Sequence, residues 1–400
     1  MKQNSFTIKD LEEFAASCEG EVRIDRVSRL MYATDASIYR EEPAAVFYPA
    51  GTGDLKKLLS FAAAHRVGII PRAAGTSLAG QVVGSGIIAD MSRHFGRIIE
   101  VNKAERWVRL EPGVVPDELN AVLKKEGLLF GPETSTSNRC NIGGMIGNNG
   151  CGLHSVVYGS VRDHIIEVRA LLHDGSETLF GPVSAEEFNL KCALEGAEGE
   201  IYREIRSMME DKVNRDSIVR DYPGKDIPRR NTGYALDDLL YSEPFTPGSG
   251  RPVNLARLIC GSEGTLAIVT EAKLGLVPLP PPVKALACVH LGKRNDAFRA
   301  NLIALKYKPW AVELMDRKIL TLAEKMEGQK RNRFFIEGDP GALLLVEFCA
   351  QHKDEITAVS SAMEAEMRAE GLGYAFPLVW GSDVKRVWDL RKAGLGILSN

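Results

Sequence analysis

Between Thr52 and His65 the apolar residues Leu55, Leu58, Leu59, Ala62 and Ala63 recur at helical spacing, with Asp54 in the first turn. Short apolar runs flank this segment, Val46-Phe47-Tyr48-Pro49 before it and Val67-Gly68-Ile69-Ile70-Pro71 after it. The pattern predicts strand, helix, strand, the alternation of an α/β subdomain. Within residues 1–30 a helix carrying Leu11, Phe14 and Ala15 is expected, leading to a polar strand. Ile87 to Asp90, Ile98 to Val101, Trp107 to Leu110 and Ile165 to Leu172 read as further strands. Asp117 to Lys125 and Ile201 to Lys212 read as helices.

Two stretches break the rhythm. Residues 131–159 hold seven glycines and four asparagines, a composition that builds no core by itself but lets backbone approach a ligand closely. From Arg215 to Pro252 the chain is polar and rich in proline, which predicts a long lid or binding loop. Leu258-Ile259-Cys260 and Leu266 to Val269 look like strands around a Gly261-Ser262-Glu263-Gly264 turn. Four prolines within residues 278–282 mark the best domain boundary. Beyond it the order is strand, helix, strand, strand, helix, strand and a last helix over 382–398, which predicts a ferredoxin-like antiparallel layer. The expected domains are therefore 1–280 and 283–400, in an α+β protein.

Composition narrows the functional classes. With 50 basic and 53 acidic side chains in 400 residues, the net charge of −3 carries no polyanion-seeking signal, so no nucleic-acid partner is expected. Apolar runs such as Ala342 to Val346 fall far short of the roughly 20 residues of a membrane span. Met1 to Ser5 lacks the apolar stretch of a signal peptide, so a cytoplasmic location is expected. The seven cysteines are scattered, with no Cys-x-x-Cys pair and no His-x-His cluster, so neither a disulfide framework nor a metal site is predicted.

Three glycine-bearing stretches carry candidate chemistry. Pro71-Arg72-Ala73-Ala74-Gly75-Thr76-Ser77-Leu78-Ala79-Gly80 follows a strand directly, and such a turn aims several backbone N–H groups one way to form an anion nest. It is equally readable as an ordinary turn. Gly75 to Ala79 also approximates a hydrolase nucleophile elbow around Ser77. The second stretch runs from Phe130-Gly131-Pro132-Glu133-Thr134-Ser135-Thr136-Ser137-Asn138 to Asn141-Ile142-Gly143-Gly144-Met145-Ile146-Gly147-Asn148-Asn149-Gly150-Cys151-Gly152. Paired glycines admit a planar ligand against the main chain, and asparagine amides can bind ring edges or phosphates. The third, Gly261-Ser262-Glu263-Gly264-Thr265-Leu266-Ala267-Ile268, could by itself be a plain hairpin. Gly84-Ser85-Gly86-Ile87-Ile88-Ala89 matches a dinucleotide fingerprint in letters only, because a strand follows where that fingerprint requires a helix.

In this order the three stretches resemble the FAD-binding domain of the vanillyl-alcohol oxidase and p-cresol methylhydroxylase type, over about residues 40–280. The resemblance implies a two-part FAD domain followed by a ferredoxin-like cap. It implies phosphate contacts from Arg72, Ala73, Ala74, Gly75, Thr76, Ser77, Gly80 and Gln81. Pro132, Glu133, Thr134, Ser135, Asn138, Gly143, Gly144, Asn148, Gly150 and Gly152 would surround the ring system. Glu263, Gly264, Thr265 and Ile268 would complete the pocket. Covalent members attach the flavin through His or Cys; the first loop offers neither, so dissociable FAD is expected.

Arg29 to Tyr39 and Asn231-Thr232-Gly233-Tyr234 look like the D-2-hydroxy-acid dehydrogenase branch (D-lactate, glycolate and D-2-hydroxyglutarate enzymes), in particular its long members with an iron–sulfur half. The last helix adds a separate signal. Val384, Val387, Trp388, Leu395 and Leu398 share a face with Arg391 in its middle. A guanidinium there is either an internal ion pair or a clamp for a substrate carboxylate. The resembled enzymes use the arginine of a Trp-x-Leu-Arg motif as that clamp, matched here by Trp388, Leu390 and Arg391. Asn231 and Tyr234 are expected as substrate-side contacts. The implied reaction oxidises a D-2-hydroxy acid to the 2-oxo acid and passes electrons to an iron–sulfur domain, a quinone or a carrier protein. Because the chain ends at Asn400, where those enzymes continue toward their histidines, the cap is expected to be incomplete. An FAD-binding module without turnover and a Ser77 hydrolase stay open as rivals.

Overall fold

The structure is a computed structural model and describes residues 6–224, 227, 229–230 and 233–398. It divides into two compact units, residues 1–150 with 160–278, and residues 151–159 with 279–400.

The two larger sheets of the first unit are four- and five-stranded, beside two short two-stranded pairs. In the four-stranded one, Glu21–Arg23, Ala45–Tyr48, Ile87–Asp90 and Ile69–Arg72 lie in that spatial order. The last three run parallel, as the strand–helix–strand pattern requires. The crossover helix Thr52–His65 buries Leu55, Leu58 and Ala62, three of the five positions its spacing singled out, with Leu59 half-buried and Ala63 exposed. The second sheet is five-stranded and antiparallel, in the order Ile98–Asn102, Trp107–Leu110, Ile268–Gly275, Ile165–Leu171, Glu177–Phe180. Along Ile268–Gly275 burial alternates strictly, so Ile268, Thr270, Ala272 and Leu274 point into the protein.

Three expectations for this unit are corrected. Leu258 and Ile259 lie in the short helix Ala256–Ile259, started by Asn254, whose Oδ1 accepts the Ala256 N–H at 2.9 Å. A run of three apolar residues looks the same in a buried strand and a buried helical turn. The polar stretch from Arg215 begins inside the helix Lys212–Asp221, capped by Asp211, which accepts the Asn214 N–H at 2.8 Å. Only Ile218 of that helix is buried, so no apolar period announces it. A second helix, Leu236–Leu240, buries Leu239 and Leu240. Within the glycine-rich segment, Ile142, Met145 and Ile146 of the helix Ile142–Asn148 belong to the main core.

The second unit is a four-stranded antiparallel sheet in the order Ala311–Asp316, Ala342–Ala350, Val283–Leu291, Leu378–Trp380, the expected ferredoxin-like arrangement. Helices Asp296–Lys306 and Lys353–Ala369 cover one face. Arg317–Glu324, which the apolar pattern did not announce, and Ser382–Leu398 cover the other. Ala342 to Val346 is therefore buried on both sides, which explains its unbroken apolar run. Among the described residues, no helix is long and apolar enough to cross a membrane.

Candidate functional site

The turn after Ile69–Arg72 is an open cradle. None of the backbone N–H groups of Ala74, Gly75, Thr76 and Ser77 donates to an acceptor among the described residues. The Ser77 Oγ is buried and also without a partner there. Gly75 has φ +65°, and a Cβ at that position would run into the Arg72 guanidinium. Ala36 N–H holds the Gly75 carbonyl at 3.1 Å, while Gly80, at φ +77°, packs on the Tyr39 ring. Arg72 departs from its expected place among the phosphate donors. It is buried and donates to the carbonyls of Tyr32 at 3.1 Å and Thr34 at 2.8 Å, so it braces the loop; burial pulls its pKa down. Ser77 has no histidine partner among the described residues, and no helix follows the turn before Ile87, so a nucleophile elbow is not formed.

The second stretch meets the first at Gly144. A Cβ there would lie 3.2 Å from that of Ala73, and the Gly144 N–H also has no acceptor among the described residues. Gly143 is pressed onto Pro112, donating to its carbonyl at 2.7 Å, and a Cβ at Gly143 would sit 2.5 Å from the proline ring. Asn141 caps this helix's start and donates to the Gly113 carbonyl at 2.7 Å, while its buried Oδ1 has no partner among the described residues. Gly150 approaches the Thr134 methyl, at 3.4 Å for an added Cβ, which brings Pro132 to Thr134 alongside. Asn138 and Asn148 are exposed, and Asn138 accepts from Arg139.

The third stretch touches both others. Gly261 and Glu263 donate to the carbonyls of Ile146 at 2.9 Å and Gly147 at 3.0 Å. Gly264, at φ +74°, stacks on Pro71, with 3.6 Å to an added Cβ. Glu263 faces Gln81, and partial burial raises its carboxyl pKa against that hydrogen bond. The Tyr234 hydroxyl lies 2.6 Å from the Thr265 Oγ1, which brings Tyr234 to this loop; Asn231 lies outside the described residues. The Ile268 side chain is spent in the core with Leu171, which corrects its expected pocket-facing place. Arg162 was missed, since a lone arginine has no spacing to betray it. It is buried and donates to the carbonyls of Cys260, Gly233 (2.7 Å) and Arg257 (3.1 Å), pinning the third stretch in place.

Gly152 falls in the segment that packs with the second unit. In that unit Arg391 makes an ion pair, donating through Nε at 3.0 Å and Nη2 at 2.8 Å to Glu313 Oε2. Val384, Val387 and Leu390 of its helix are buried and Arg391 is half-buried, while the Leu395 and Leu398 side chains lie outside those described. Nearby, buried Glu347 accepts from His154 Nε2 at 3.0 Å and from Trp388 Nε1 at 2.9 Å. Neither His154 nor Glu347 stood out in the sequence, because the two lie 193 positions apart.

With this geometry in view, similarity to known families is decisive. The FAD binding domain family matches residues 43–180, and the family described as FAD linked oxidases, C-terminal domain, matches residues 280–400. The chain joins these two domains. FAD is thus its cofactor, and the residues present fit that group. The unbonded N–H groups of Ala74 to Ser77 and the Ser77 hydroxyl can hold phosphate oxygens. The bare Gly143-Gly144 shelf accommodates a planar ring.

A D-2-hydroxyglutarate dehydrogenase of Pseudomonas putida is 35% identical over 393 residues. The Escherichia coli protein of that name is 32% identical over 397 residues. Each alignment covers 95% of this chain and 38% of the relative, so the chain spans well under half the length of these curated proteins. A glycolate oxidase subunit of Bacillus subtilis is 27% identical over 79% of this chain and 55% of its own. Among solved structures, alkyldihydroxyacetonephosphate synthase superposes with a TM-score of 0.65 at 15% identity, over all of this chain and 65% of that one. Physcomitrella patens BBE-like 1 gives 0.58 at 15%, over 93% and 62%. These two establish the p-cresol methylhydroxylase-type fold.

Proposed function

We propose that the chain is the flavin-bearing part of an oxidoreductase that converts a D-2-hydroxy acid, with D-2-hydroxyglutarate the first candidate, to its 2-oxo acid. The observation that carries the reading is the meeting of three separated loops around unbonded N–H groups and a bare glycine shelf. The names of the relatives supply the substrate class.

FAD, when bound, supplies the hydride acceptor for the substrate Cα. Ala74 to Ser77 bind its phosphates through main-chain donors, and Gly143 and Gly144 leave room for its rings. Thr265, held by Tyr234, completes the polar rim. Arg391 binds the substrate carboxylate. Its pair with Glu313 uses the Nε/Nη2 edge, and Nη1 donates to nothing among the described residues, which leaves a second edge for an incoming carboxylate. No His or Cys lies in the first loop, which favours dissociable FAD, and reduced flavin would be reoxidised by a separate acceptor.

The test is spectroscopic. Purified chain loaded with FAD, mixed anaerobically with D-2-hydroxyglutarate, is expected to lose its visible flavin absorbance. A spectrum left oxidised by D-2-hydroxyglutarate, D-lactate and glycolate alike refutes the proposal.

A further inference from the structure

Strand Ala342–Ala350 is apolar from Ala342 to Val346 and then places Glu347, 2% exposed, in the interior. A buried carboxylate is costly unless both oxygens are served. Here they are served by distant parts of the chain. His154 comes from the segment 151–159, which leaves the glycine-rich flavin stretch to pack with the second unit. Trp388 comes from helix Ser382–Leu398, one turn before Arg391. Lys284 Nζ, at 3.9 Å, adds positive charge. The Tyr158 ring, on the same segment as His154, packs edge-on against Trp310 at 5.8 Å, a second hold on that strap.

We infer that Glu347 is a positioning residue for Arg391. By fixing Trp388 it sets the rotation of the arginine-bearing helix, and by binding His154 it keeps the strap in register with that helix. Glu313 then fixes the guanidinium plane itself. Nothing in the similarity to other proteins assigns Glu347, His154 or Trp388 a role. The inference rests on the proposed role of Arg391 as a carboxylate clamp.

A double-mutant cycle on the 400-residue chain tests it. The probe is 2-oxoglutarate, the oxidation product of D-2-hydroxyglutarate, with binding measured by calorimetry so that no turnover is needed. Trp388→Phe keeps the apolar packing and deletes the indole donor. It is expected to weaken binding about tenfold beside Arg391, and to have little effect once Arg391→Lys has removed the planar fork. Glu347→Gln, which preserves volume, is expected to act the same way and to accelerate amide exchange over 151–159 and 382–393. Equal losses with and without Arg391, no loss at all, or unchanged exchange in Glu347→Gln overturn the inference. Flavin that D-2-hydroxyglutarate, D-lactate and glycolate all leave oxidised, alongside an intact coupling, refutes the proposed oxidation while the positioning role stands. Absence of 2-oxoglutarate binding by the unmutated chain overturns the inference together with D-2-hydroxyglutarate as the substrate.

Discussion

Ser77→Ala separates cofactor binding from folding, because the two effects should have opposite signs. Without ligand, the Ser77 Oγ is buried and has no partner among the described residues. An unsatisfied buried hydroxyl costs about 1–3 kcal/mol, so its removal relieves a penalty. The small void left by one atom takes back part of that gain, and the apo-protein should become more stable by about 1 kcal/mol. In the proposed role the hydroxyl serves a charged phosphate oxygen of FAD, and a hydrogen bond to a charged group contributes about 1.5–3 kcal/mol. FAD affinity should therefore fall roughly 10- to 150-fold. Urea unfolding of apo-protein and fluorescence titration with FAD measure the two quantities on the same preparation. An apo-protein destabilised by more than about 1 kcal/mol, or an unchanged FAD affinity, would show that this hydroxyl does not face the cofactor.

Three further outcomes follow from the geometry. Gly75→Ala places a side chain at φ +65° against the Arg72 guanidinium, and should cost about 1–3 kcal/mol in urea unfolding together with FAD affinity; an unchanged midpoint contradicts the packing described. Arg391→Ala should slow flavin reduction at low substrate by at least about tenfold while changing stability by less than about 1 kcal/mol, since its partner Glu313 is not deeply buried. Glu347 has its carboxyl held below the ordinary 4.5: burial pushes it up, but His154, Lys284 and Trp388 outweigh that. Its stabilising contribution is thus present above about pH 4.5 and lost as pH falls through the lower folded value, so Glu347→Gln should flatten the acid limb of a stability profile.

How much of the site was legible varied with the kind of signal. The loop Ala73 to Ser77, the pair Gly143-Gly144 and the turn Gly261 to Thr265 were readable because each needs particular small residues at adjacent positions. Arg72 was readable as important but not in its role: only the fold shows that the carbonyls of Tyr32 and Thr34 take its donors. Ile268 was drawn into the site by its neighbours in the motif, yet strand alternation turns its side chain into the core. Arg162, His154 and Glu347 left no trace, since their partners are main-chain carbonyls or side chains far away in sequence.

The order of residues by itself determined what is local. It set the helix Thr52–His65, the ferredoxin-like succession after the proline boundary, and the three glycine-bearing turns, because periodicity and backbone freedom are properties of neighbours. Tertiary structure decided which loops meet, which polar atoms stay unbonded, and that Arg391 leans on Glu313 while Glu347 gathers His154 and Trp388. The reason is physical: a buried polar group selects its partner by proximity in space, and chain closure over scores of residues is not written in any short stretch of sequence.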